Sequence, residues 1–322
     1  MNRREFLLSG TAALAFGGCR TATDFQPERS FALGPNGQLR IPVPGLAAPV
    51  RFLVAADTHL SLRDERDSAF AENCARMTAK TQPMKALPSL FDRARREKAD
   101  LILLAGDILS FPTLANVEHV REALAAGGVP WMYTAGNHDW HFEGDEGSDL
   151  EQRARWIGRR LGGLYPVGAN PLCHARTVGG VRFVAMDNSA YHILPEQLAF
   201  WREQVASGEP IVLFSHVPLW VKEWSVLMKG WGVLMCGNPT WGYDTDPFWK
   251  IERRQRWAVR QTPETFAFRE EVLAAPNLVA AFSGHLHHLL VAQERGKCLF
   301  SVAANNAGNL LSVTLVDEKG AS

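Results

Sequence analysis

From residue 50 onward, short apolar runs alternate with stretches of helical periodicity. The runs Val50–Ala56, Leu101–Ala105, Pro130–Thr134, Val181–Met186, Ile211–Phe214, Leu278–Phe282, Leu289–Ala292, Cys298–Ala303 and Leu310–Val316 have the length of strands. Helices are predicted at about 83–98, 113–126, 149–161, 195–206 and 264–275. Strands separated by single helices predict βαβ units in an α/β fold. The C-terminal third has strands without helices, which predicts an antiparallel or mixed portion. Neither an internal period nor a low-complexity tract interrupts this pattern, so one domain is expected over 50–322.

Composition narrows the function classes. The chain has 322 residues, 46% hydrophobic and 21% charged, enough apolar material for a large core. Lys+Arg is 34 and Asp+Glu is 34. A zero balance argues against electrostatic binding to nucleic acid or an anionic membrane. The run Arg253, Arg254, Arg256 and Arg260 reads as a solvated helix face for the same reason. Five scattered cysteines without a CxxC pair exclude a disulfide scaffold and a cysteine–zinc knot. The pairing of Cys74, Cys173, Cys236 and Cys298 stays open.

The N-terminus reads as an address. Arg3-Arg4 precedes a weakly apolar stretch, Phe6 to Gly18, and Cys19 follows. That stretch is too short to span a bilayer, which needs about 20 apolar residues. Residues 1–19 resemble a bacterial Tat signal, read by a translocon that exports folded proteins. Phe16-Gly17-Gly18-Cys19 resembles a lipobox, with Phe16 where Leu is usual. Lipidation of Cys19 and an ordinary cleavage that removes it are the two readings. Residues 20–49 are expected to form a tether and an edge segment. The expected location is the periplasm or cell envelope of a bacterium, with membrane contact only through a lipid anchor.

Polar residues able to bind metal follow most of the apolar runs at once. The runs end in Asp57-Thr58-His59, Gly106-Asp107, Gly136-Asn137-His138-Asp139, Ser215-His216 and Gly284-His285-Leu286-His287. Ligands of open α/β sheets bind outside the carboxyl ends of the strands. Residues i and i+2 of an extended segment point the same way, so Asp57 with His59, and His285 with His287, are expected to share a site. Mixed imidazole and carboxylate donors suit first-row ions such as manganese, iron or zinc. His141, His192 and His288 are left over and read as solvated or rim residues.

These five blocks resemble those of the calcineurin-like metallophosphoesterases, over about residues 50–317. The resemblance implies a β-sandwich of two mixed sheets flanked by helices, with two metal ions bridged by one aspartate. It places Asp57, His59, Asp107 and His287 on the first ion. It places Asp107, Asn137, His216 and His285 on the second. His138 would contact the substrate and protonate the leaving oxygen, with Asp139 a candidate to orient it. The implied reaction is hydrolysis of a small-molecule phosphoester by a metal-bridging hydroxide. Purple acid phosphatases carry a tyrosine three residues after the bridging aspartate, and Ser/Thr phosphatases an aspartate. Here Ser110 occupies that place. The Asn137-His138-Asp139 ending looks more like the phosphodiesterase branch. A phosphomonoesterase of the same fold and a non-catalytic metal- or ligand-binding envelope protein are the competing readings.

An aromatic-rich insertion spans about 217–262. Trp220, Trp224, Trp231, Trp241, Trp249 and Trp257 crowd it, broken by glycines and prolines. Trp224, Trp231 and Trp241 are expected either to wall the substrate site or to pack the loop onto the core.

Overall fold

The computed structural model describes residues 32–33, 37–70, 72, 75, 83–142, 144–227, 235–239 and 261–317. In chain order its strands are β1 (Ala32–Leu33), β2 (Gln38–Pro42), β3 (Val50–Ala55), β4 (Leu101–Ala105), β5 (Trp131–Thr134), β6 (Cys173–Val178), β7 (Val181–Met186), β8 (Ile211–Phe214), β9 (Leu278–Ser283), β10 (Leu290–Glu294), β11 (Lys297–Ser301) and β12 (Leu311–Val316). Its helices are α1 (Ala86–Glu97), α2 (Leu114–Ala126), α3 (Asp149–Arg159), α4 (Pro195–Ala206), α5 (Lys222–Leu227) and α6 (Pro263–Ala274).

Helix boundaries follow local chemistry. The Thr113 hydroxyl caps α2 by accepting from Asn116 N. Ser148 and Glu151 form a capping box at the start of α3. Thr262 caps α6, and Pro263 fills its first turn, where no backbone N–H is needed. Leu87, Leu90, Phe91 and Ala94 recur on one face of α1 and are all buried.

The strands form two six-stranded mixed sheets, ordered β1-β2-β12-β3-β4-β5 and β10-β11-β9-β8-β7-β6. β3, β4 and β5 run parallel, as do β7, β8 and β9. Alternate residues of each sheet face the other sheet or the helices. Phe52, Val54, Leu101 and Leu103 meet Phe183, Phe214, Phe282 and Phe300 between the sheets. Phe52 stands edge-on to Phe183 at 5.0 Å and to Phe282 at 5.7 Å. Leu53, Ile102 and Leu104 face α1 and α2. Val184, Leu213 and Ile211 pack with Trp201 of α4 and Phe268 of α6. Helices therefore cover both outer faces of the sandwich.

The predicted helices and strands all form, within a few residues at their ends. Three described strands lie beyond those expectations: β1, β2 and β6. β2 arises within the segment expected to be tether and edge. Leu39 and Ile41 are buried there while Arg40 is exposed, and the strand pairs in parallel with β12. β6 is joined to β7 by Gly179-Gly180, both at positive φ, a hairpin signal that its weak hydrophobicity obscured. Residues 1–31, with Arg3, Arg4 and Cys19, lie outside the described residues. Within the aromatic insertion, α5 and a bridge between Leu219 and Cys236 are described. Cys173 and Cys236 are buried thiols.

Candidate metal centre

The ends of β3, β4, β5, β8 and β9 meet at one end of the sandwich, and no side chain separates them at three points. A Cβ on Gly284 would lie 2.5 Å from Ala56 Cβ and 2.7 Å from Asp57 Oδ2. A Cβ on Gly136 would lie 2.1 Å from Asp107 Oδ1. One on Gly106 would lie 2.6 Å from His216 Nδ1. Glycine is therefore required where the loops cross.

All seven predicted donors come together here. His287 Nε2 lies 3.4 Å from Asp57 Oδ1 and 3.0 Å from His59 Nε2. His59 Nε2 lies 3.7 Å from Asp107 Oδ2. On the other side of Asp107, His216 Nε2 approaches Oδ2 to 3.2 Å and Asn137 Oδ1 to 3.2 Å. His285 belongs to the same group, its donor atom within 4.8 Å of those of Asp107 and His216. Asp107 thus stands between Asp57, His59 and His287 on one side and Asn137, His216 and His285 on the other.

The route to this convergence differs from the expected pleat. Asp57, His59, Asp107, His285 and His287 all have φ between 50° and 70°. They lie past the strands, in left-handed backbone that costs a non-glycine residue about 1–2 kcal/mol. Hydrogen bonds from neighbouring loops hold them there. Asp57 N donates to Gly106 O at 3.0 Å, and His59 N to Asp107 O at 2.8 Å. Ser110 Oγ donates to His59 O at 3.0 Å. Asn305 N donates to Ala56 O at 2.8 Å, and Gly284 N to His216 O at 3.0 Å.

The electrostatics call for a cation. Ala105 O accepts from His216 Nδ1 at 2.9 Å, which turns the Nε2 lone pair toward Asp107 Oδ2 and Asn137 Oδ1. Three acceptors then face one point, and only a proton or a metal ion reconciles them. Burial disfavours a charged His216, yet Asp107 outweighs it and raises its pKa to about 9. Burial alone would also raise Asp107, but the His216 and His138 charges hold its carboxyl well below the usual range. Asp57 is likewise held low against its burial by His287. Burial lowers His59 to about 4 and His285 to about 3, which keeps both imidazoles neutral and free to ligate. His285 Nε2 is buried without a hydrogen-bond partner. The donor set fits two ions of the manganese, iron or zinc type, with oxygen and nitrogen ligands and no thiolate.

His138 is partly exposed beside this cluster. Its ring stands edge-on to His59 at 4.9 Å, and its backbone N donates to Asp107 Oδ1 at 2.8 Å. Asp139 does not orient it. The Asp139 carboxylate turns inward and accepts from Gly136 N and Leu109 N, each at 2.7 Å. It ties the loop after β5 to the loop after β4, and burial raises its pKa to about 7. Trp224 is no substrate wall: it is buried in the core outside the second sheet, near Leu219 and Leu299. Trp231 and Trp241 lie outside the described residues. His288 is exposed, as expected of a rim residue. His141 and His192 are buried instead, His141 Nδ1 pairing with Gln152 Oε1 at 3.0 Å. The sequence reading missed Asn305, Asp187, Asn188 and Tyr191. The last three follow the apolar strand β7, the same signal that marked the other five blocks.

A family model described as calcineurin-like phosphoesterase matches residues 50–289. No curated protein matches the sequence. Among solved structures, a dimetal phosphatase from Danio rerio is 12% identical with a TM-score of 0.48, over 80% of this chain and 88% of that one. A putative 5'-nucleotidase from Staphylococcus aureus is 13% identical with a TM-score of 0.47, over 84% of this chain and 52% of that one. A purple acid phosphatase from yellow lupin, Lupinus luteus, is 14% identical with a TM-score of 0.47, over 85% of this chain and 47% of that one. The chain spans about half the length of the latter two.

The close approach at Gly136 generates a test. Gly136→Ala is expected to weaken metal binding by about 10–100-fold, because the added methyl displaces Asp107. Gly158→Ala, in α3 where a Cβ meets nothing within 4 Å, is expected to gain roughly 0.5–1 kcal/mol of stability. Metal titration and thermal melting of both variants check this. Wild-type affinity in Gly136→Ala would contradict it.

Proposed function

The chain belongs to the calcineurin-like phosphoesterase family, a family of metal-dependent phosphoester hydrolases, and from that premise we propose that it cleaves a small-molecule phosphodiester outside the cytoplasm, using two ions that share Asp107. The observation that carries the two-ion reading is the convergence of Asp107 Oδ2, Asn137 Oδ1 and His216 Nε2 on one point, with the unpartnered His285 Nε2 beside them. Asp57, His59 and His287 form the matching group on the other side of the carboxylate.

In this reading Asp57, His59, Asp107 and His287 would hold the first ion, and Asp107, Asn137, His216 and His285 the second. Ions of the manganese, iron or zinc type would supply Lewis acidity there, to activate water and offset charge on the phosphoryl oxygens. The residues do the rest. Backbone N–H groups of His138 and His285 fix the Asp107 and Asp57 carboxylates by direct hydrogen bonds. His138, partly exposed beside Asp107, gives a proton to the leaving oxygen. The Asn137-His138-Asp139 ending supports the diester branch, and Ser110 sets the site apart from the purple acid phosphatases. The Ser110 hydroxyl is spent on His59 O, so it braces a donor where purple acid phosphatases place a tyrosine ligand.

Reconstituted protein is expected to turn over bis-p-nitrophenyl phosphate faster than p-nitrophenyl phosphate with at least one of the three metals. His138→Ala is expected to lower kcat by about 10²–10⁴-fold with metal content unchanged. Faster monoester turnover would reassign the enzyme as a phosphomonoesterase, and a metal-free His138→Ala variant would make His138 a ligand.

Export rests on Arg3-Arg4 ahead of the short apolar stretch. We propose a Tat-dependent envelope protein, anchored through Cys19 if the lipobox is read. Replacing both arginines with lysine is expected to leave the precursor in the cytoplasm. Unchanged fractionation would contradict the Tat reading, and membrane retention that depends on Cys19 would establish the anchor.

A further inference from the structure

The segment Asp187–Tyr191 follows β7 and has no part in the function proposed above, yet it touches three loops of the centre. The buried Asn188 side chain behaves like one more rung of the sheet. Its Nδ2 donates to Val217 O at 2.7 Å, and its Oδ1 accepts from Val217 N at 2.9 Å. Val217 directly follows His216. Ser189 Oγ accepts from Trp140 Nε1 at 2.8 Å, on the loop that carries Asn137. Tyr191 has φ 61° and donates its backbone N to Asn188 O at 2.8 Å. Its buried ring stands edge-on to the His285 ring, 5.6 Å between centroids at 71°.

The segment is itself fixed. Asp187 Oδ1 accepts from Ser189 N at 2.9 Å and from Ser189 Oγ at 2.6 Å, while Oδ2 accepts from the buried Arg153 Nε at 2.9 Å. Gln197 Nε2 donates to Asp187 O at 2.7 Å. A non-glycine residue in left-handed backbone persists only where its surroundings over-determine it.

The three loops touched are those of Asn137, His216 and His285. Apart from the shared Asp107, these are the donors assigned to the second ion. The donors of the first ion have other braces: the loop after β4 holds Asp57 and His59, and Ala304 N donates to His287 O at 3.4 Å, while the one brace shared with the second group, His285 N on Asp57 Oδ2 at 3.0 Å, uses the His285 backbone and not the ring that Tyr191 meets.

We propose that Asn188 and Tyr191 are positioning residues for the second ion, setting its affinity without contacting substrate. Asn188 fixes the backbone next to His216, and the Tyr191 ring holds the His285 imidazole at the angle its Nε2 needs. The proposal rests on the two-ion reading given above. Removing a group that orients a metal ligand typically weakens binding by about 10–100-fold.

The test is a calorimetric titration of manganese into metal-free, full-length protein. Wild type is expected to show two binding steps. Tyr191→Gly keeps the left-handed backbone accessible while removing the ring. It is expected to weaken the second step by about 10–100-fold and leave the first unchanged. Tyr191→Phe, which keeps the ring against His285, is expected to restore it. Asn188→Ala is expected to behave as Tyr191→Gly; if it does not fold, the two Tyr191 variants carry the test. Melting of the metal-free variants separates a general loss of structure from a loss at one ion. Two unchanged steps in Tyr191→Gly, or equal weakening of both in step with the melting temperature, would overturn the proposal. A single step in wild type would overturn the two-ion reading, and this inference with it.

Discussion

Asp57 and Asp107 place two carboxylates inside the protein, both almost fully buried and on adjoining strand ends. An unpaired buried charge costs several kcal/mol, so their surroundings must answer it. Backbone N–H groups of His285 and His138 supply part of the answer. Imidazoles supply the rest, with His287 beside Asp57 and His216 beside Asp107. Among the described residues no arginine or lysine pairs with either carboxylate, and the imidazoles beside them answer the charge only while they hold a proton. That arrangement favours a cation that the whole set can share.

The sandwich exists in a form that makes this sharing geometric. Parallel strands from both sheets end on the same side. Three glycines let their loops cross at distances a methyl group would forbid. Left-handed backbone at Asp57, His59, Asp107, His285 and His287 then turns five donors inward. The strain is offset by ladders of hydrogen bonds between loops and by a core anchored on Phe52 between the sheets. Asp139 belongs to this framework: it binds two loops together and so sets the separation of Asp107 from Asn137.

The donors were legible because each follows an apolar strand, and strand ends of an α/β sheet gather ligands. The βαβ order was legible because apolar runs and helical periodicities alternate. β2 and β6 are harder to see, since Arg40 in β2 and Arg176 and Thr177 in β6, an edge strand, dilute the pattern. The left-handed backbone was invisible, because nothing in Asp-Thr-His or His-Leu-His demands positive φ. Tertiary hydrogen bonds impose it. Asp139 was assigned to its sequence neighbour His138, whereas the turn at Gly136 carries the carboxylate the other way. Composition leaves Trp224 open between a substrate wall and core packing, and it is packed like any large core residue. The Asp187-Asn188-Ser189 block ends an apolar strand like the others. Its part in the site is tertiary, through the pairing of Asn188 with Val217 beside His216.

Everything rests on Asp107 as the shared ligand of two ions. Anomalous diffraction from crystals grown with manganese tests that claim most directly. The account predicts two anomalous peaks about 3.5–4 Å apart, one on each side of the Asp107 carboxylate. Asp57, His59 and His287 would border one peak, and Asn137, His216 and His285 the other. A single peak, or a pair that does not share Asp107, would contradict it.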